Sequence, residues 1–170
     1  MKIVCGEAFY CGNCVNTDVI SPGRFEPYQG KEHLASIALI DYKSVPPFVD
    51  PKTNKSRYKV IFAGKEFGCG SSRETAPQAL FYAGVQVIIA HSFARIFFRN
   101  CINMGMIYPI IFNHSFDSEI IGQEVMVNFT ERFFTVNNKK YFYNDLGSIE
   151  EIITAGGLIK YTKHKLGLIA

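Results

Sequence analysis

Gly64-Lys65-Glu66-Phe67-Gly68-Cys69-Gly70-Ser71-Ser72-Arg73-Glu74 lies between two segments of opposite character. On its N-terminal side, Tyr58-Lys59-Val60-Ile61-Phe62-Ala63 is short, apolar and partly β-branched, which predicts a strand. On its C-terminal side, residues 75–83 predict a helix that stops at Gly84. Gly64, Gly68 and Gly70 let the connecting backbone turn tightly and approach a ligand closely. The hydroxyls of Ser71 and Ser72 and the guanidinium of Arg73 then stand at or near a helix start. Unpaired N–H groups and the positive end of the helix dipole make that place suited to a carboxylate or phosphate.

The turn matches none of the common phosphate or nucleophile motifs. A dinucleotide fingerprint needs a third glycine where Arg73 stands, and a P-loop needs Gly-Lys-Ser/Thr after the second glycine. The Gly-x-Ser-x-Gly elbow is absent as well. A structural role is open beside the binding role: Ser71 can cap the helix, with Glu74 completing a capping box. The two roles are compatible, since one serine can cap while the other faces a ligand. Pro77 is tolerated in a first helical turn, which moves the expected start toward Arg73 or Glu74.

Outward from this turn, residues 85–90 are almost continuously apolar and predict a buried strand. Strand, helix and strand within about thirty residues imply a parallel crossover and an α/β fold. Ser92 is expected to cap a second helix over residues 93–104, with Gly105 as its stop. Arg95 and Arg99 share a face of that helix. They can bind an anion or pair with carboxylates, and the second role is favoured because ion-pair networks also gather arginines. Upstream, residues 2–10 predict a strand, 13–24 a polar loop, 31–39 a helix and 43–56 an exposed proline-rich loop. Downstream come a strand at 107–112, an antiparallel meander at 124–143 and a helix at 149–155, opened by Ser148 and ended by Gly156-Gly157. The basic tail from Leu158 is compatible with strand or helix.

The chain has 170 residues, enough for one domain, taken as 1–170, and 48% of them are hydrophobic. A net charge of +3 without a long basic run argues against nucleic acid as a partner. No apolar run reaches the roughly 18 residues that a membrane span needs. Met1-Lys2-Ile3-Val4-Cys5 lacks the apolar core of a signal peptide, so a cytoplasmic or organelle-matrix location is expected. The five cysteines are then expected to be free thiols. Cys11-Gly12-Asn13-Cys14 resembles half a metal or redox motif, but no second such pair and no His pair at ligand spacing accompanies it.

Read together, Gly64 to Pro77 and the later Ala90-His91-Ser92-Phe93-Ala94-Arg95-Ile96-Phe97-Phe98-Arg99-Asn100-Cys101-Ile102-Asn103-Met104-Gly105 resemble one family. It is the small subunit of 3-isopropylmalate dehydratase, which corresponds to the swivelling C-terminal domain of aconitase. Asn16-Thr17-Asp18-Val19-Ile20-Ser21-Pro22-Gly23-Arg24-Phe25 is similar to the family's Asp-Thr-Asp-x-Ile-Ile-Pro-x-Arg-Tyr segment, and Ala155-Gly156-Gly157-Leu158 to its closing motif. Three departures stand out. Asn16 replaces the first acid, and Thr75 stands where His or Gln is usual. Glu26, Pro27 and Tyr28 occupy the loop that in this family faces the variable substituent of the substrate.

The resemblance implies a swivelling β/β/α domain, with a mixed sheet, flanking helices and an antiparallel meander in the C-terminal half. It implies dehydration and rehydration of a hydroxy-dicarboxylic acid, as in the isomerisation of 2- and 3-isopropylmalate in leucine biosynthesis. The [4Fe–4S] cluster belongs on a separate large subunit, in a heterodimer or heterotetramer, and this chain binds no cofactor or metal itself. Ser71 would be the general base, Ser72 and Arg73 would hold a substrate carboxylate, Arg24 would be a second anion contact and Phe25 would meet the alkyl group. A helix N-terminus contributes at most about 2 kcal/mol, or roughly 1.5 pKa units, too little to make a serine a standing alkoxide. Base function is therefore expected only in the closed complex, and the chain alone is expected to be inactive. The rivals are small subunits of homoaconitase, citraconate hydratase or dimethylmalate dehydratase, and a non-catalytic carboxylate- or RNA-binding domain. Phe25-Glu26-Pro27-Tyr28 offers no basic residue for an extra carboxylate, which favours an uncharged alkyl group.

Overall fold

A computed structural model describes residues 3–25, 30–44 and 46–168. Glu26, Pro27 and Tyr28, expected to face the substrate's variable group, lie outside the described residues. Seven strands form one mixed sheet in the order β4-β3-β2-β1-β5-β6-β7. They are β1 (Ile3–Cys11), β2 (Tyr58–Ala63), β3 (Val87–Ala90), β4 (Tyr108–Ile111), β5 (Glu124–Asn128), β6 (Phe133–Val136) and β7 (Lys139–Phe142). β1, β2, β3 and β4 pair in parallel, and β5, β6 and β7 continue from β1 as the expected antiparallel meander.

Period-two alternation divides the apolar residues between two cores. Ile61, Ile88 and Ala90 point to one face, where α2 (Lys31–Ser36), α3 (Thr75–Ala83) and α4 (Arg95–Met104) supply Leu34, Leu80 and Phe97. Val60, Phe62, Val87 and Ile89 point to the other, against Val127 and Phe134 of the meander. Here the sheet curls on itself. Phe112, just past edge strand β4, lies 5.7 Å from Tyr141 of edge strand β7, ring centre to ring centre. The remaining helices are α1 (Thr17–Ile20), α5 (Glu150–Thr154) and α6 (Leu158–Lys165), so the basic tail resolves as helix.

Some expected boundaries shift. The stretch expected to be loop at 13–24 contains α1, because Asn16 Oδ1 accepts the Val19 N–H at 2.8 Å and caps a short turn. α4 starts at Arg95 after an extended Ala94, and Ser92 does not cap it. The Ser92 hydroxyl instead donates to Glu66 Oε1 at 3.0 Å and accepts from the Glu66 N–H.

The parallel pairing decides where a site can form. Cys11 is level with Ala63, and Ala63 with Ala90, so the chain leaves β1, β2 and β3 at one edge. Ligands of parallel sheets bind beyond such carboxyl ends.

Candidate active site

The three segments that emerge at this edge are laced together by their backbones. Gly64 donates to Gly12 O at 3.1 Å, Cys14 to Lys65 O at 2.8 Å, Gly68 to Val15 O at 2.8 Å and Thr17 to Cys69 O at 2.8 Å. On the other flank, Phe67 donates to Ser92 O at 3.0 Å and Ala94 to Phe67 O at 2.9 Å. Gly68 explains one of the glycines. Its φ is +79°, and a Cβ there would stand 2.2 Å from the Phe97 ring. The turn is thus seated directly on the core.

Ser71 does not cap α3. The helix begins at Thr75, its cap position is Glu74, and no side chain accepts a cap hydrogen bond. The start agrees with the boundary that Pro77 predicts, in the first turn. The capping box left open by the sequence does not form, and both serines project from the turn, exposed to solvent. The turn is held from below by Thr17, which is buried. Its Oγ1 accepts the Ser71 N–H at 3.0 Å and lies 3.4 Å from Ser71 Oγ.

Arg73 reaches back across the cleft. Its Nη1 donates to Asp18 Oδ1 at 2.5 Å and to Ser21 O at 3.4 Å. This hydrogen bond and the guanidinium charge hold the Asp18 carboxyl below its ordinary value. Gly23 packs against the same guanidinium, since a Cβ there would meet Nη2 at 2.7 Å. Ser71, Ser72 and Arg73 are thus displayed together, with Thr17 and Asp18 positioning two of them. Neither supporting residue emerged as a candidate from the sequence, although both belong to the Asn16-Thr17-Asp18 segment.

Arg24 and Phe25 stand at the margin. Arg24 makes two hydrogen bonds to Asp41, at 2.6 and 2.7 Å, and its guanidinium lies 4.5 Å from the Phe25 ring centre. It makes no direct bond to the Ser71–Arg73 turn. Phe25 is half-buried and lines a cleft of about 320 Å³ with Ser21, Lys31, Leu34, Thr75 and Tyr82. Lys31 is a basic side chain on this wall that the Phe25 to Tyr28 stretch did not reveal, with its ammonium 5.9 Å from the Tyr82 ring centre.

The thiols do not fit an iron–sulfur cluster. Cys11 and Cys101 are fully buried, and burial pushes both thiols up, away from the thiolate a ligand must be. Cys5 is exposed on β1, while burial and nearby Cys14 raise Cys69. Among the described residues, no three His, Cys, Asp or Glu side chains converge as a metal-ligand set. Nor is any helix there long and apolar enough to cross a membrane.

Residues 30–115 match the family model of the aconitase C-terminal domain. Over 172 residues, covering 98% of each chain, the protein is 38% identical to a 3-isopropylmalate dehydratase small subunit of Aliarcobacter butzleri. The chain belongs to the 3-isopropylmalate dehydratase small-subunit family. A crystal structure of a family member, 3-isopropylmalate dehydratase of Methanocaldococcus jannaschii, superposes with a TM-score of 0.83 at 38% identity, covering 98% of this chain and 96% of that one. The swivel-domain architecture expected from the sequence is thereby established. The family also reaches other substrates by name: a methanogen homoaconitase small subunit of Methanocaldococcus jannaschii is 41% identical over 170 residues, covering 96% of this chain and 93% of its own.

Proposed function

We propose that this chain is the substrate-holding half of a 3-isopropylmalate dehydratase, interconverting 2- and 3-isopropylmalate by loss and re-addition of water. The observation that carries the reading is the display of Ser71 and Ser72 in the turn before α3, outside the helix that Ser71 was free to cap, beside an Arg73 already oriented by Asp18. In this reading Arg73 and Ser72 bind a substrate carboxylate by charge-assisted hydrogen bonds. Ser71, ionised in the closed complex, takes through Oγ the proton from the carbon beside that carboxylate. The hydroxyl of the neighbouring carbon leaves as water with the proton that Ser71 gave up on ionising, and water re-adds with the positions exchanged. The iron of the large subunit would supply the Lewis acid that assists the departure. The whole chain acts as one swivelling domain.

The helix start falls four positions after Ser71. The dipole fades within its first turn and contributes little to that oxygen. What lies close to Ser71 Oγ is the Thr17 hydroxyl, which donates to the Ser71 carbonyl at 3.3 Å and lies 3.4 Å from Oγ, so its single proton would have to turn to Oγ to stabilise a developing alkoxide. A serine so placed is a base only once Arg73 and the substrate's bound charge are assembled around it, which makes the isolated chain inactive. Because its thiols do not fit a cluster, the iron–sulfur centre belongs to the large subunit. This chain's own part is limited to holding substrate and handling the proton.

The test is reconstitution with the large subunit and assay on isopropylmalate. Ser71→Ala should lower kcat by about 10² to 10⁴-fold with little change in KM. Arg73→Lys should mainly raise KM, because a lysine cannot reproduce a forked contact. Turnover by the isolated chain, or full activity of Ser71→Ala, would sink the proposal. One observation favours a second reading, a homoaconitase-type substrate with an additional carboxylate: Lys31 on the wall of the cleft beside Phe25. Assaying homoaconitate and citraconate beside isopropylmalate separates the readings.

A further inference from the structure

The outward surface of α4 has no role in the site described. Its buried side is Phe97, Cys101 and Ile102. At about 100° per residue, the opposite arc runs from Arg95 through Arg99 and Ile96 to Asn100. Arg95 and Arg99 are exposed, and Ile96 is 50% exposed. The sequence favoured carboxylate partners for the two arginines, and the structure overturns this. Neither forms an ion pair among the described residues. Glu66, the acid of the neighbouring turn, is engaged by Ser92. Two guanidinium groups one helical turn apart repel each other, and no ion pair among the described residues offsets that repulsion.

The arc also borders the half-site. Asn100 Nδ2 approaches the Ser72 carbonyl at 3.5 Å, so whatever covers Ser71 and Ser72 meets α4 next. We infer that the Arg95–Ile96–Arg99 face of α4 is a docking surface for the large subunit, which presents carboxylates to both arginines and an apolar contact to Ile96. This rests on the proposal that the chain is one half of a two-subunit enzyme. It adds which face closes the interface and which charge the partner must carry there. Paired charges at the rim of an interface govern encounter and register, so the contact would align the partner over Ser71 as well as hold it.

The experiment titrates the full chain with the purified large subunit of the same source organism at low and high salt, reading the dissociation constant. Wild type should bind more weakly as salt rises. The double variant Arg95→Glu, Arg99→Glu should bind at least 100-fold more weakly at low salt and lose most of the salt dependence. Arg95→Gln, Arg99→Gln should fall between them and guards against misfolding by the reversal, with thermal melts of all three chains as the control. Binding by the double variants within twofold of wild type, at an unchanged salt slope, would overturn the surface and leave the two-subunit reading standing. Failure of the wild-type chain to bind any large subunit would overturn both.

Discussion

Arg73 shows how one contact prepares a site. A free guanidinium on a flexible stem would lose rotamer freedom on gripping a carboxylate. Here Asp18, Ser21 O and the close backbone of Gly23 have already placed it. Asp18→Asn keeps a hydrogen-bonding oxygen but removes the charge, so KM should rise by about tenfold with a smaller change in kcat, because misplacement of this order costs one to two powers of ten. The pair also has a pH signature. The Asp18 carboxyl is held below its ordinary value of 3.8, so its contribution is fully present above that value and is lost as pH falls through the lowered one. The difference in urea midpoint between wild type and Asp18→Asn should stay constant from about pH 8 to about pH 5 and shrink below about pH 4.

At the scale of elements, α1 depends on its cap. Four residues are too few for a helix to stand on propensity, and Asn16 supplies both the side-chain cap to Val19 and the register that brings Thr17 under Ser71. Asn16→Ala should cost about 1 kcal/mol in urea unfolding and also lower turnover, because Thr17 would lose its place. Asn16→Asp, which restores the acid that the resemblance implies at this position, should be close to neutral because Asp caps as well as Asn. α4 depends on its end: Gly105 closes it at φ +61°, and a Cβ there would lie 2.2 Å from Gly157 N. The Gly156-Gly157 pair read from the sequence as a helix stop therefore also seats the C-terminal segment against α4.

For the whole molecule, the curl of the sheet separates stability from chemistry. Phe112, Phe116, Phe134 and Tyr141 close the space between the edge strands, with Phe134 fully buried and its ring 5.0 Å from that of Phe112. The candidate site lies at the carboxyl ends of the parallel strands, against the other core. Phe134→Ala should therefore cost about 3–5 kcal/mol in urea unfolding. The KM of the folded fraction should be unchanged, as measured by assay of the reconstituted pair well below the unfolding midpoint.

Much of this was legible in the order of residues alone. The limits of β2 and α3 follow from an apolar β-branched run, a proline in the first turn and a glycine stop, which act locally and do not depend on the rest of the chain. The turn from Gly64 to Glu74 announced its chemistry through residue type and spacing, and the family follows from the same blocks. Only the tertiary structure decided how Ser71, Ser92 and Arg95 are used. A hydroxyl near a helix start can cap it or leave it, and the choice rests on partners distant in sequence: Thr17 for Ser71, and Glu66 for Ser92. Likewise the arginines of α4 share a face by period, yet whether an acid meets them depends on packing across the sheet edge, where none does among the described residues. Local free energy sets the elements, and long-range contacts decide which polar groups remain free to act.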